Sequence, residues 1–357
     1  MFHPAALLAK PEAVPGAWFS FERHAMLAAL EWFGRRAGEP LSLVAVPDYM
    51  CHEVIVTLRE RGCALVTYPV NAALETEPEA VAAALGDARR AAVLVCHFYG
   101  RLNRRFGETA GLCRRRGWTL LEDCAHLPYP FPEGAEPFLS DVRLHTFRKL
   151  YGVPYGASAV LRLDQEGFNA FLTARGAPLP DGDGAGVLRW AARETLKRMV
   201  VAAGVTVRRE YRDLSQDPLK PFDRAHPWVE RLLPEGEWRT AVERRRANYR
   251  RYMENVPAFA GWAEPLEFDV RRDVPYQLLL TLRAGLDPQA FIDFFLARGV
   301  SALRGLALHD DVLKRLPKEH PFNRQVSLPL HQDVDDEDVD RVVSLIRKFG
   351  NQPPVRG

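Results

Sequence analysis

The feature that most constrains this chain is an alternation in its first half. Short apolar runs of four to eight residues (LSLVAVP, CALVTYPV, AAVLVCHFYG, WTLLEDCAH, DVRLHTF, ASAVLRL) are separated by helix-like stretches such as FERHAMLAALEWFGRRAG, HEVIVTLRERG, PEAVAAALGDARR and FGETAGLCRRRG. A run too short for a helix and apolar on both faces reads as a strand buried on both sides. Strands of that kind alternating with amphipathic helices build βαβ units around a mostly parallel sheet. In such a sheet, functional groups gather at the carboxyl ends of the strands.

The chain has 357 residues, enough for about two domains. A long helix, GEWRTAVERRRANYRRYMENV, leads into a second part with a strand-like YQLLLTLR and helices DPQAFIDFFLARG and DEDVDRVVSLIRKFG. The expected organisation is an N-terminal segment and large α/β domain over residues 1–235, and a smaller C-terminal α/β domain over 236–357. The connecting region, with LPDGDGAG, VLRWAARETLKRMVVAA and RDLSQDPLKPFDRAHPW, reads as a Gly/Asp loop, a helix and a Pro-rich surface segment.

Several classes are set aside. A formal charge of +2, from 48 basic and 46 acidic residues, provides no global field for nucleic acid or an anionic membrane. The clusters RRR at 114–116 and 244–246 read as solvated helix faces, and DVDDEDVD as acids favoured at a helix start rather than a calcium loop. No apolar run approaches the roughly 18 residues that span a bilayer. The N-terminus lacks the charged and apolar regions of a signal peptide, and the five cysteines show no CxxC spacing. Free thiols in a reducing cytoplasm are expected.

Of the 48 basic residues only seven are lysines, and Lys149 stands apart. It follows the strand-like DVRLHTF and enters the turn LYGVPYG. An amine there can form a Schiff base, or it can snorkel to the rim; spacing alone leaves the two readings even. Asp123 ends the run WTLLED. A carboxylate at that strand end can hold a pyridine nitrogen protonated; a helix cap and a metal ligand are the alternatives, with no ligand cluster nearby to favour metal. His126, His97 and His24 are weaker candidates for binding or base chemistry. The start of the first helix, near His24, would suit a phosphate.

VPDYMCHEVIVTLRERGCALVTYPV, LVCHFYGRLNRRF, WTLLEDCAHLPYP, SDVRLHTFRKLYGVPYGASAVL and VSLPLHQDVDDEDVDRVVSLIRKF, in this order, resemble the DegT-type (DegT/DnrJ/StrS) aminotransferases of fold type I. The resemblance covers roughly residues 17–163 and 236–349. It implies a large, mostly parallel sheet of the seven-stranded type, a smaller C-terminal α/β domain and pyridoxal 5′-phosphate. It implies that Lys149 forms the Schiff base and shuttles a proton, that Asp123 pairs with the pyridine nitrogen, and that His126 stands where the family has Gln on the ring hydroxyl. Thr146 lies at the S/T-x-x-K spacing of a phosphate hydroxyl. Arg23 and His24 fall at the Gly-Thr-Ala phosphate loop, with Glu22 an unfavourable neighbour. Cys51 aligns with the aromatic that stacks on the ring.

By resemblance, glutamate or glutamine donates an amine to a keto acceptor, with a nucleotide-linked keto sugar the family's usual acceptor, and a homodimer builds its sites at the interface. The departure at Cys51 and the middle segment, where no GxNxR-like stretch is recognisable between residues 164 and 235, leave room for one other reading, and the presence of Lys149 and Asp123 argues against a second. These are a different pyridoxal-phosphate chemistry, such as dehydration or elimination, and a non-catalytic scaffold of the same fold.

Overall fold

The computed structural model describes residues 16–129 and 137–176 apart from 152 and 154. It describes residues 188, 189, 192, 193, 225 and 229 of the following stretch, then 237–350 apart from 256, 258, 260, 315, 318 and 319. The loop LPDGDGAG and Lys10, Lys197, Lys220 and Lys318 lie outside the described residues, as does almost all of the connecting region.

The first half follows the alternation. β1 (Ala17–Phe19), α1 (Glu22–Arg36), β2 (Leu43–Pro47), α2 (His52–Glu60), β3 (Ala64–Tyr68), α3 (Pro78–Leu85), β4 (Ala92–Cys96), α4 (Phe106–Arg116), β5 (Thr119–Asp123), β6 (Val142–Thr146), β7 (Ala157–Leu161) and α5 (Gln165–Ala174) succeed one another. They form a seven-stranded sheet in the order β1-β7-β6-β5-β4-β2-β3. Strands β2 to β6 pair in parallel, and β7 and β1 continue the sheet antiparallel. The edge strand β1 has no counterpart in the sequence reading, because three residues cannot show a period.

Alternate side chains of the central strands enter two separate cores. Val44, Val46, Leu94, Cys96, Leu121, Val142 and Leu144 join α1 and α5 on one face. Ala45, Val93, Val95 and Leu120 join α3 and α4 on the other. This period of two places Cys96, Asp123 and Thr146 on the α1 face, while Glu122, Arg143 and His145 point the opposite way. Helix α4 buries Phe106, Ala110 and Cys113 at helical spacing and stops at Gly117, whose φ of 70° closes the last turn. Arg114, Arg115 and Arg116 face solvent, as the charge pattern implies.

The second part begins at α6 (Glu237–Met253) and continues through β8 (Ala263–Pro265), β9 (Leu278–Leu282), α7 (Pro288–Leu296), β10 (Leu303–Arg304), the short α8 (Asp310–Leu313), β11 (Gln325–Leu328) and α9 (Asp336–Gly350). Its strands form an antiparallel sheet in the order β10-β11-β9-β8. The acids Asp336, Glu337 and Asp338 occupy the first turn of α9, as read from DVDDEDVD.

Two expectations are corrected. The strand read through HFYG ends at Cys96, because Tyr99 (φ 55°) and Gly100 (φ 84°) turn left-handed. The second arginine cluster is not a solvated face: Arg245 and Arg246 are buried. Their guanidinium groups donate to backbone carbonyls, Arg245 to Pro275 and Tyr276, and Arg246 to Asp273 and Arg271. Carbonyls left over by a non-repetitive buried segment need donors, and arginine supplies several at once.

That segment locks against the turn after β4. Tyr276 donates its N–H to the Tyr99 carbonyl at 2.7 Å, and Val274 to the Gly100 carbonyl at 3.0 Å. Asp273 accepts from the Leu102 N–H and from Arg104. A Cβ on Gly100 would lie 1.9 Å from the Val274 carbonyl oxygen. Gly100→Ala is expected to destabilise the protein by about 2–4 kcal/mol, through strain at positive φ and loss of this docking. Denaturant unfolding measures it, and a change below about 1 kcal/mol would show that the turn relaxes freely.

Candidate active site

One cavity on the α1 face is bordered by Glu22, Arg23, Cys51, Asp123, Thr146, Arg148 and Lys149, with Leu94, Leu144 and Met26 as apolar wall. It lies at the carboxyl ends of β4, β5 and β6. Strand β2 has β3 on one side and β4 on the other, so the chain reverses direction here and a crevice opens.

Lys149 sits on one helical turn after β6. The N–H groups of Leu150 and Tyr151 return to the Phe147 carbonyl, and the Phe147 N–H reaches the Gly156 carbonyl. The Phe147 ring is buried and stacks on Trp18, 4.8 Å away. The second part of the chain clamps the same turn: Gln332 donates to the Leu150 carbonyl at 2.8 Å, and Arg245 Nε donates to Gln332 Oε1 at 2.9 Å.

Asp123 ends β5 directly opposite Cys96. Its Oδ1 accepts the Ala125 N–H at 2.9 Å, and its Oδ2 accepts from the Cys96 thiol at 3.3 Å. These two partners hold the carboxylate toward the cavity. Burial opposes the charge of Lys149, but the carboxylates of Glu22 and Asp123 more than offset this and hold the amine above its ordinary value. Glu22 is pushed well up by burial and then by the Asp123 charge, against the opposing pull of Lys149 and the Thr146 hydroxyl. Thr146 donates that hydroxyl to Glu22 Oε2.

His126 touches the lysine from outside the cavity wall, with Nε2 3.4 Å from Nζ. Its Nδ1 accepts the Tyr99 N–H at 3.1 Å, so the neutral ring carries its proton on Nε2. The ring lies between Tyr99 and Tyr276, the latter 4.6 Å away and nearly parallel. Burial first, then the Lys149 and Arg245 charges, lower its pKa well below the usual histidine value. It is a neutral donor, not a cationic acid.

Of the residues singled out from the sequence, Lys149, Asp123, Thr146, Arg23 and Cys51 border one cavity, and His126 joins through Lys149. Cys51 caps the start of α2, and burial pushes its thiol up to about 12, so it is a neutral packing group. His24 is buried on α1 with its ring edge against Phe21, a residue of the cavity wall, and does not itself line the cavity. His97 points to the other face of the sheet. Glu22, Cys96, Arg148, Tyr276, Arg245 and Gln332 were not picked out as site residues. Glu22 alone carried a signal, as an acid beside an expected phosphate loop.

The opposite face holds a separate charge network. Glu122 accepts from His97 Nε2 at 3.1 Å, from Arg143 Nε at 2.8 Å and from Ser140 Oγ at 2.5 Å, while His97 Nδ1 accepts the Asn103 N–H. His97, Glu122 and Cys124 could together ligate a metal by distance. These bonds already satisfy the first two and make the group a structural clasp.

No protein-family model and no curated protein sequence matches the chain. Solved structures do. TlmJ, an aminotransferase from Streptoalloteichus hindustanus, is 21% identical with a TM-score of 0.66, covering 93% of this chain and 84% of that one. DesI, solved in the presence of its TDP-sugar product, is 18% identical with a TM-score of 0.66, covering 98% and 83%. Helicobacter pylori PseC, an aminotransferase involved in the biosynthesis of pseudoaminic acid, is 12% identical with a TM-score of 0.65, covering 96% and 88%. The chain has the fold of these aminotransferases, fold type I, as its sequence motifs led one to expect.

The clasp around Glu122 makes a prediction. Burial works against its charge, yet His97, Arg143 and Ser140 hold its pKa below the ordinary glutamate value. A depressed pKa contributes stability that is present above the unfolded value and is lost as the pH falls through the folded one. Glu122→Gln is expected to cost about 3–5 kcal/mol at neutral pH, by stranding Arg143 and His97. That cost should shrink on acidification below the ordinary glutamate range. Unfolding both proteins across pH checks it, and a cost that stays constant into acid would exclude the charge as the cause.

Proposed function

We propose that the chain is a pyridoxal-phosphate-dependent aminotransferase. It moves an amino group from a small donor such as glutamate or glutamine to a keto acceptor, and the acceptor class is a nucleotide-linked keto sugar. The observation that carries this reading is the convergence of Lys149 and Asp123 on one cavity at the switch point of the sheet. The fold shared with DesI and TlmJ supports the reaction class, and the DesI product supports the acceptor class.

The donor set fits a pyridoxal ring. Lys149 supplies an amine that, once it has given up its proton, is a nucleophile and a base able to carry a proton between neighbouring carbons. Asp123, fixed by Cys96 and Ala125, is the anion that keeps a ring nitrogen protonated. Bound there, the cofactor supplies an electron sink. His126 offers a neutral N–H beside the amine, and its tyrosine sandwich holds the ring in place. Cys51 contributes an uncharged wall. Arg23, Arg148 and Thr146 line the end suited to a phosphate, with Glu22 among them.

The reading includes a homodimer with the sites at its interface, tested by molar mass in solution, and a cytoplasmic protein. All five cysteines are free thiols, consistent with a reducing compartment. It also includes the division of the chain near residue 236, which the separate second sheet supports.

Mixed with pyridoxal phosphate, the wild type is expected to show a yellow visible absorption band that Lys149→Ala lacks. Glutamate or glutamine should then discharge the band. A band that no amino donor discharges, with loss of water or another group from a substrate instead, would select the elimination reading. Absence of the band from the wild type would leave the scaffold. Asp123→Asn should keep the band and lower turnover at least about 100-fold, because it weakens charge stabilisation rather than attachment. Unimpaired turnover in that variant would remove Asp123 from the chemistry.

A further inference from the structure

The cavity contains a group that a phosphate-binding pocket does not ordinarily tolerate. Glu22 opens α1, and its carboxyl meets the Thr146 hydroxyl inside the cavity that Arg23, Arg148 and Asp123 also border. Helix N-termini attract anions, and the first turn already holds an acid of its own. The Thr146 hydroxyl, a neutral donor of the cavity wall, is turned onto Glu22. Asp123 adds a second carboxylate across the same cavity, and Lys149 faces both.

Resting on the pyridoxal reading, we propose that Glu22 is a specificity-determining residue that weakens the pocket's hold on the phosphate end of its ring ligand. Binding then depends chiefly on Lys149 and Asp123 at the ring. The physical ground is twofold. An incoming dianion must take the Thr146 hydroxyl from Glu22, and it must share a partly desolvated space with a carboxyl group whose ionisation it would oppose. A ring carrying an uncharged hydroxymethyl tail meets neither obstacle. Arg23 and Arg148 border the same cavity, so removing the carboxyl leaves two cations and the Thr146 hydroxyl for an anion.

The test uses 4-deoxypyridoxine and its 5′-phosphate, which lack the aldehyde and cannot bond to Lys149. Their affinities for the full chain are measured by calorimetry in the wild type, Glu22→Ala and Glu22→Ser. The phosphorylated ligand is expected to bind at least about tenfold more tightly to both variants, while the unphosphorylated one changes by less than about threefold. Equal changes for the two ligands, no tightening of the phosphorylated one, or selective tightening in one variant alone would overturn the proposal, since both substitutions remove the carboxyl. Failure of both ligands to bind any of the three proteins would instead overturn the pyridoxal reading on which the proposal rests, and failure of the unphosphorylated one alone would overturn the proposal. Circular dichroism of the two variants establishes that they are folded before the titration.

Discussion

A positively charged amine at the end of a buried strand has to be compensated, and that requirement organises this molecule. Lys149 is compensated by Asp123 and Glu22, which reach it from different elements. Asp123 arrives from β5, and Glu22 from the first turn of α1. Both are brought to the amine by one fact of geometry: every second residue of β4, β5 and β6 faces α1. The residues between them face away, so Glu122 builds its clasp with Arg143 and His97 on the other side of the sheet. Two adjacent acids in the sequence thus serve opposite faces, one at the site and one in the scaffold.

The second part of the chain takes part in holding the site. Arg245 gathers the carbonyls of Pro275 and Tyr276 and grips Gln332, which in turn holds the turn carrying Lys149. Tyr276 is both docked to Tyr99 through its backbone and stacked on His126 through its ring. The contact between the turn after β4 and the segment before β9 is therefore also the support of the histidine beside the amine. Gly100 makes the contact possible because its missing side chain admits the Val274 carbonyl.

Much of this was legible beforehand for identifiable reasons. Strands buried on both faces must be continuous apolar runs, so the central sheet showed itself directly. Gly117 and the acids of 336–338 marked helix ends through local backbone and dipole effects. Asp123 and Lys149 stood out as charges following apolar runs. Other features left no local trace. β1 is too short to carry a period. Arg245 and Arg246 look like any charged helix face until the carbonyls they satisfy, about 30 residues away in the chain, are placed beside them. His97 and His126 have equivalent sequence settings, each just beyond an apolar run, and the register of the sheet sends them to different faces.

The sequence by itself determined the order of helices and strands, the parallel sheet, and the amine and carboxylate at strand ends, because these depend on hydrophobic period and on position relative to a buried run. Only the tertiary structure decided which of the candidate residues share a cavity. It joined Glu22 to Thr146, set His97 on the other face of the sheet, and tied Gln332 to the lysine turn. Contacts between residues more than a hundred positions apart depend on how the twisted sheet, α1 and the second sheet pack together, and no local pattern encodes that packing.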